Sequence, residues 1–186
     1  LGSILADLVK GAARDRLSPR IQRGIACHIE VDRFTDAHPL FLASQRRLAP
    51  EFARFASVLI DVFYDHFLAR RFDRYTGLGL REFSQAVYVD LRRVAEPLHE
   101  QAGWVVRTMA TEDWLGSYAR LEGISATLER MSWRLRRPQL LTPAVTELRR
   151  LDAELAADFD EFFPQLQARV NRWWAMQPHL ESLAEV

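Results

Sequence analysis

The sequence predicts an all-α fold, and three observations carry that prediction. No segment alternates apolar and polar residues between hairpin turns, and no internal repeat is present. Prolines stand where helices start: Ser18-Pro19 and Thr142-Pro143 each place a capping hydroxyl before the residue best tolerated at the first helical position, and Pro39 and Pro50 suit first turns as well. The stretch Phe55 to Leu68, FASVLIDVFYDHFL, has ten apolar residues out of fourteen, and they surround a helix instead of forming one stripe. That is the pattern of a helix packed on all sides. The 186 residues are expected to form a single helical domain, long enough to bury about 70% of its extended surface.

Residues 3–10 read as a short helix with Ile4, Leu5 and Leu8 inward and Asp7 among them, followed by a loop. The helix from Ser18-Pro19 runs to about Asp36. At 100° per residue, Ile21, Ile25, His28, Asp32 and Asp36 share its inner face, and Gln22, Arg23, Glu30 and Arg33 lie toward the outer one. A short helix over 39–48 leads to the central helix over 51–72, which Gly77 and Gly79 end. A helix over 81–95 shows Phe83, Val87, Leu91 and Val94 at helical spacing and stops at Pro97. After Gly103, Trp104, Trp114 and Tyr118 read as core aromatics in two short helices or turns leading to a longer helix ending near Leu135. The last long helix starts at Thr142-Pro143, and Pro164 should kink or break it.

Apolar residues make up 48% and charged residues 27%, which excludes a disordered chain, and no apolar run approaches the length of a membrane span. One cysteine, Cys27, excludes an internal disulfide framework and fits the cytoplasm. The opening LGSILADLVKG, interrupted by Asp7, is not a signal peptide. Charge balances at 25 against 25, with Lys10 the only lysine. Arginines come in pairs, including Arg70-Arg71, and Arg14, Arg16, Arg20 and Arg23 surround the first loop. These are either a solvated surface or a surface for phosphates or an acidic partner. From Arg130 to Arg150 there are six arginines and one acid, and from Leu151 to Phe163 five acids and no base. Those blocks either pair with each other or face different partners.

No GxGxxG, GxxxxGK[ST] or GxSxG motif is present, and Cys27 has no catalytic signature beyond its neighbour His28. What remains as chemistry is an acid- and histidine-rich set: Asp7, His28, Asp32, Asp36, Asp61, Asp65 and His66. His28, Asp32 and Asp36 stack at i, i+4, i+8, and Asp61 and Asp65 lie one turn apart on the central helix. Carboxylates on buried faces need compensation, and a divalent metal shared by the two helices would supply it, so the two helices are expected to pack together.

Three segments, SILADLVKG (3–11), GIACHIEVDRFTDAHP (24–39) and IDVFYDHFLARRF (60–72), resemble the acyl carrier protein phosphodiesterases in order and spacing. The resemblance continues through Leu80-Arg81-Glu82-Phe83, Trp114-Leu115 with Tyr118, and Leu151-Asp152 with Phe162-Phe163-Pro164. It implies an all-helical fold distantly similar to the HD phosphohydrolases. It also implies metal-dependent cleavage, with manganese the expected ion, of the phosphodiester joining 4′-phosphopantetheine to the serine of holo-acyl carrier protein. Members of that family carry a Phe-Leu-Ala-His-like segment before the part matching Leu1, and basic residues after the position of His28, where this chain has Ile29 and Glu30.

With that chemistry in view, His28, Asp32 and Asp65 are the expected metal ligands. Asp7, Asp36 and Asp61 are candidates for bridging, orienting or general-base roles, and His66 for a ligand or the acid that protonates the leaving serine oxygen. Mn2+ is preferred, with Mg2+ and Fe2+ as alternatives. Arg14, Arg16, Arg20, Arg23, Arg70 and Arg71 would steer the acidic carrier protein, the expected partner, with neither nucleic acid nor membrane implied and the oligomeric state left open. Two other readings stand beside this one. A helical metal phosphohydrolase could act on a nucleotide or another small phosphodiester, or a non-catalytic helical module could pair its acids with Arg33, Arg70 or Arg71.

Overall fold

Ser18 and Pro19 start the first long helix as the sequence predicts. The Ser18 hydroxyl accepts the Ile21 N–H at 3.4 Å, and α1 spans Pro19–Ala37. His38 then serves two helices. Its backbone N–H closes α1 on Thr35, and its Nδ1 accepts the Leu40 N–H at 3.3 Å to cap α2 (Pro39–Arg47). With Nδ1 accepting, the ring proton sits on Nε2, which donates to Gln165 Oε1 at 3.3 Å. The computed structural model describes residue 4 and residues 17–95, 100–133 and 141–177.

The expected 51–72 helix is three pieces. A 3-10 turn (Pro50–Phe55) leads into α3 (Ala56–Arg70), and Arg71, at φ −129° and ψ 30°, separates it from the short α4 (Phe72–Thr76). Gly77 ends α4 at φ 71°, a left-handed conformation that glycine adopts without steric cost. α5 (Leu80–Ala95) follows, then α6 (Glu100–Thr111), which takes Gly103 into its interior where a break was expected. α7 (Trp114–Ser117) and α8 (Leu121–Trp133) come next, then α9 (Ala144–Arg150) and α10 (Asp152–Ala175). No strand occurs among the described residues.

Two stop-and-start expectations fail in the C-terminal third. Thr142 does not cap α9, whose N-cap is Pro143 without a side-chain hydrogen bond. Pro164 does not interrupt α10, and the break lies at the buried Leu151 instead (φ −107°, ψ 11°). Packing explains the continuity. Phe159 and Phe163, in the turn before Pro164, stack at 5.2 Å between ring centres, while Tyr75 and Tyr64 meet Phe163 and Phe162 at 5.0 and 5.3 Å. Ring contacts of this kind hold the turn leading into a residue whose local preference is to bend the helix.

α3 is central, as its composition predicts. Leu59, Ile60, Phe63 and Phe67 are fully buried and meet residues of α2, α8, α9 and α10 in the main core. A second, smaller core forms from Ile25 on α1, Tyr88 and Leu91 on α5, and Val106 on α6. α1 packs chiefly on α10 and α2, not on α3. Glu30, expected on the outer face, explains this: it is buried, accepting from Arg169 Nε of α10 at 2.8 Å and from Arg33 at 3.3 Å. Asp32 and Asp36, expected inside, are exposed.

Among the described residues, Asp152, Asp158 and Asp160 of α10 pair with arginines far away in sequence. Asp152 meets Arg70 at 2.7 Å, Asp158 accepts from Arg47 Nε at 3.1 Å and from Ser44 at 2.9 Å, and Asp160 accepts from Arg71 at 2.6 Å and from the Tyr75 hydroxyl. Within the basic block Arg150 closes on Glu147 at 2.7 Å. No helix among the described residues is long and apolar enough to cross a membrane.

Candidate active-site cleft

A cleft of roughly 420 Å³ is lined by His28, Asp65, Trp114 and Tyr118. Leu68, Phe72, Phe83 and Met109 supply apolar walls. α1 contributes His28, whose Nδ1 lies 3.4 Å from Asp32 Oδ1, one turn on. That contact fixes the ring and leaves Nε2 for the cleft that His28 lines.

α3 contributes the acids. Asp61 and Asp65 occupy the one strip of this helix that the core does not cover, exposed at their tips yet enclosed by the surrounding protein. Burial, with the charges of Asp36 and Asp32 added, pushes the Asp61 carboxyl up to about 6. Burial, with the charge of Asp61 added, pushes Asp65 up to about 7. The four acids thus form one electrostatic chain, Asp32 and Asp36 on α1 acting on Asp61, and Asp61 acting on Asp65. Arg33, Arg70 and Arg71 do not neutralise it, since they pair with Glu30, Asp152 and Asp160. The pairing required by the non-catalytic reading is therefore absent at Asp61 and Asp65 among the described residues.

Not every expected residue joins this cleft. His66 is buried and turned about 100° away from Asp65, as helix geometry requires. Its Nδ1–H donates to the Tyr118 carbonyl at 2.7 Å, and it lines a separate hollow with Arg70, Arg149 and Asp152. Burial holds its pKa below the usual imidazole value, so it is neutral. Arg70 and Arg71, expected to face a partner, are tied into ion pairs with α10. Arg20 is exposed near the start of α1 and Arg23 is half-buried beside it. Asp7, Arg14 and Arg16 lie outside the described residues. Among the described residues no group of three or more His, Cys, Asp or Glu side chains is gathered closely enough to hold a metal ion, because the acids are strung along two helices whose principal contacts lie elsewhere.

The sequence reading took Trp114 and Tyr118 for core; Tyr118 does pack against the main core, and both also line the cleft. Asp113, at φ 46°, caps α7 by accepting the Gly116 N–H at 3.2 Å, and the buried Tyr88 donates to Asp113 at 3.0 Å while accepting the Leu115 N–H at 2.8 Å. Gly123 lets α8 press against the Ser117 carbonyl, which a Cβ there would strike. Trp114 and Tyr118 are thus presented by a turn clamped from both sides. Arg130 lies 4.3 Å from the centre of the Trp114 ring and donates to Thr127 Oγ1 at 2.9 Å. Burial, with Asp65 nearby, pushes the Tyr118 phenol up to about 12, against the opposing effects of Thr127 and Arg130.

A sequence model of the family described as acyl carrier protein phosphodiesterase matches residues 1–166. This chain belongs to that family. A Yersinia enterocolitica acyl carrier protein phosphodiesterase is 29% identical over 186 residues, 100% of this chain and 89% of the relative. The protein of the same name from Serratia proteamaculans is 30% identical over 175 residues, 92% of this chain and 89% of the relative. The Yersinia pestis phosphodiesterase is 31% identical over 141 residues, 75% and 72% of the two chains. No solved structure matches the chain. All three segments on which the resemblance was first read fall within the matched residues, and two of them supply the cleft's His28 and Asp65.

Proposed function

We propose that this protein hydrolyses the phosphodiester joining 4′-phosphopantetheine to the serine of holo-acyl carrier protein, releasing apo-carrier protein and free 4′-phosphopantetheine in the cytoplasm. What carries the reading is the coincidence of a family match over residues 1–166 with a cleft at which burial, and then neighbouring acids, raise the carboxyls of Asp61 and Asp65 with no opposing base among the described residues. Scaffold acids are paired, and a site that awaits a cation and an anionic substrate is not.

The donor set fits a divalent cation in kind: carboxylate oxygens suit Mn2+ or Mg2+, and imidazole adds affinity for Mn2+ or Fe2+. The candidates to hold it are His28, Asp32 and Asp65, although among the described residues they are not gathered closely enough to do so in this structure. Such an ion, when bound, would supply the charge neutralisation a phosphodiester needs and make water nucleophilic at neutral pH. The protein's own groups would do the rest. Asp32 lies 3.4 Å from His28 Nδ1 and would steady that ring. Asp61 would return a proton to the serine oxygen as the phosphorus–oxygen bond to serine breaks and water's oxygen takes its place. Leu68, Phe72 and Phe83 give the pantetheine arm an apolar wall to lie along.

The test is mass spectrometry of holo-acyl carrier protein incubated with this protein and Mn2+. Loss of the prosthetic-group mass, with no hydrolysis of nucleotides under the same conditions, is the expected result. An unchanged carrier beside rapid nucleotide hydrolysis would overturn the assignment in favour of a small-molecule phosphohydrolase.

A further inference from the structure

Tyr118 lines the cleft together with His28 and Asp65, and Thr127, Arg130 and His66 lie around it. Thr127 is buried, and its oxygen already accepts from Arg130 Nη2 at 2.9 Å, so its single proton is free to turn toward the phenol oxygen of Tyr118, on which it stabilises negative charge. The phenol's own proton is then left for an acceptor in the cleft, which Tyr118 shares with His28 and Asp65. Arg130 cannot swing away easily, because its guanidinium stacks on Trp114 at 4.3 Å. The backbone is held as well, by His66 Nδ1–H on the Tyr118 carbonyl at 2.7 Å.

We infer that the Tyr118 hydroxyl is a catalytic hydrogen-bond donor to a non-bridging oxygen of the scissile phosphodiester, and that Thr127, Arg130 and His66 are the residues that position it. A neutral donor suits a cleft that also holds Asp65: a cationic side chain there would be captured by that carboxylate, whereas a phenol stays available to an anion. Arg130 behind it adds positive potential without entering the cleft. This role rests on the hydrolysis proposed above.

The experiment measures kcat and KM for holo-acyl carrier protein with Mn2+ in the full chain and in Tyr118→Phe, Thr127→Val and Thr127→Ser, with helicity and thermal midpoint recorded for each. A donor that acts mainly on charge developing in the transition state is worth about 10²- to 10³-fold in kcat. Tyr118→Phe should lose about that much with KM within twofold, Thr127→Val should lose less, and Thr127→Ser should restore the rate because it restores the proton. A fully active Tyr118→Phe beside an active parent overturns the role of Tyr118 and leaves the reaction standing. A parent that forms no apo-carrier overturns the reaction and this role together. Loss of activity that tracks loss of helicity, with Thr127→Ser no better than Thr127→Val, makes the network scaffold and overturns the inference.

Discussion

Two acid-rich regions of this protein use the same side chains to opposite ends. On α10, Asp152, Asp158 and Asp160 each meet an arginine, and Glu147 and Glu30 do the same from the loops and helices around it. Burial works against the charge of Asp160, but hydrogen bonds from Tyr75 and Arg71 and the charges of Arg71 and Arg74 outweigh it and hold its carboxyl below the usual range. Glu147 is likewise held low, first by Arg150. On α3, burial, and then neighbouring acids, push Asp61 and Asp65 up to about 6 and about 7, with no arginine among the described residues to offset it. The number of acids does not separate scaffold from site; whether a base offsets their burial does. The first region joins α10 to the helices around it, and the second leaves carboxyls that titrate near neutrality.

The largest expected effect tests the cleft side of that contrast. Asp65→Asn and His28→Ala should each lower phosphopantetheine release at least about a hundredfold, since each removes a donor from the proposed metal site or a group that orients one. Both metal-free proteins should stay helical, and the thermal midpoint of Asp65→Asn should be unchanged or raised, because removing one of several like charges relieves repulsion. Full turnover by either variant at the same metal concentration would move the site elsewhere.

Asp158→Ala should behave in the reverse way. It strips one of two partners from the buried Ser44 hydroxyl, which keeps Tyr64, and the carboxylate partner from the exposed Arg47, a loss of hydrogen bonding of about 1 kcal/mol and a fall of about 2 to 4 °C in Tm for a chain of this size. Turnover per folded molecule should not change. A stable but inactive Asp158→Ala would break the division between the two regions.

The same contrast sets a pH dependence. Asp61 and Asp65 have raised pKa values in the fold, so between the ordinary carboxylate range and about 7 the folded state binds more protons than the unfolded one. Stability of the metal-free protein from these groups is greatest at low pH and is lost as pH rises through about 6 and about 7. His66 acts in the opposite direction: its lowered pKa costs stability as pH falls below the unfolded value near 6.5. Asp65→Asn should therefore be more stable than the parent at pH 7.5 without metal, with the difference shrinking toward pH 4. Thermal denaturation across that range measures it, and a difference that grows toward acid would show that Asp65 is held by a base.

Much of this was legible in the sequence, and what was missed has identifiable physical causes. Ser18-Pro19 and His38-Pro39 mark real helix starts because a cap and a proline act locally. Pro164 and Thr142 misled because ring packing around Phe159 and Phe163, and the turn at Leu141 to Pro143, decide those segments through tertiary contacts. Helical periodicity brought His28, Asp32, Asp61 and Asp65 to notice, but it placed α1 against α3 by assuming a cation between them. Glu30 and Arg169, 139 positions apart in sequence, decide where α1 packs, and no local pattern carries that pairing. His66 was assigned to the site by adjacency to Asp65, although its rotation about the helix already pointed it away. Trp114 and Tyr118 read as core aromatics and as part of the family resemblance, and neither signal showed that the turn clamped by Tyr88 and Gly123 brings them to the cleft.

The smallest expected effect concerns the arginines, which the structure divides in the same way as the acids. Arg70 and Arg71 hold α10 to the end of α3, so reversing them to Glu should lower stability before it alters recognition. Arg20 is exposed at the start of α1, the helix that carries His28. If it steers an acidic carrier protein together with Arg23, Arg20→Glu with Arg23→Glu should raise KM for the carrier a few-fold and flatten its dependence on salt, because long-range attraction is screened over about 8 Å at physiological ionic strength. Hydrolysis of a small, weakly charged phosphodiester should hardly change, since it gains little from a distant basic surface and the cleft is untouched. Equal losses on both substrates would assign these two arginines to the scaffold alongside Arg70 and Arg71. An unchanged carrier rate at low salt would make them plain solvated surface and leave recognition to other parts of the molecule.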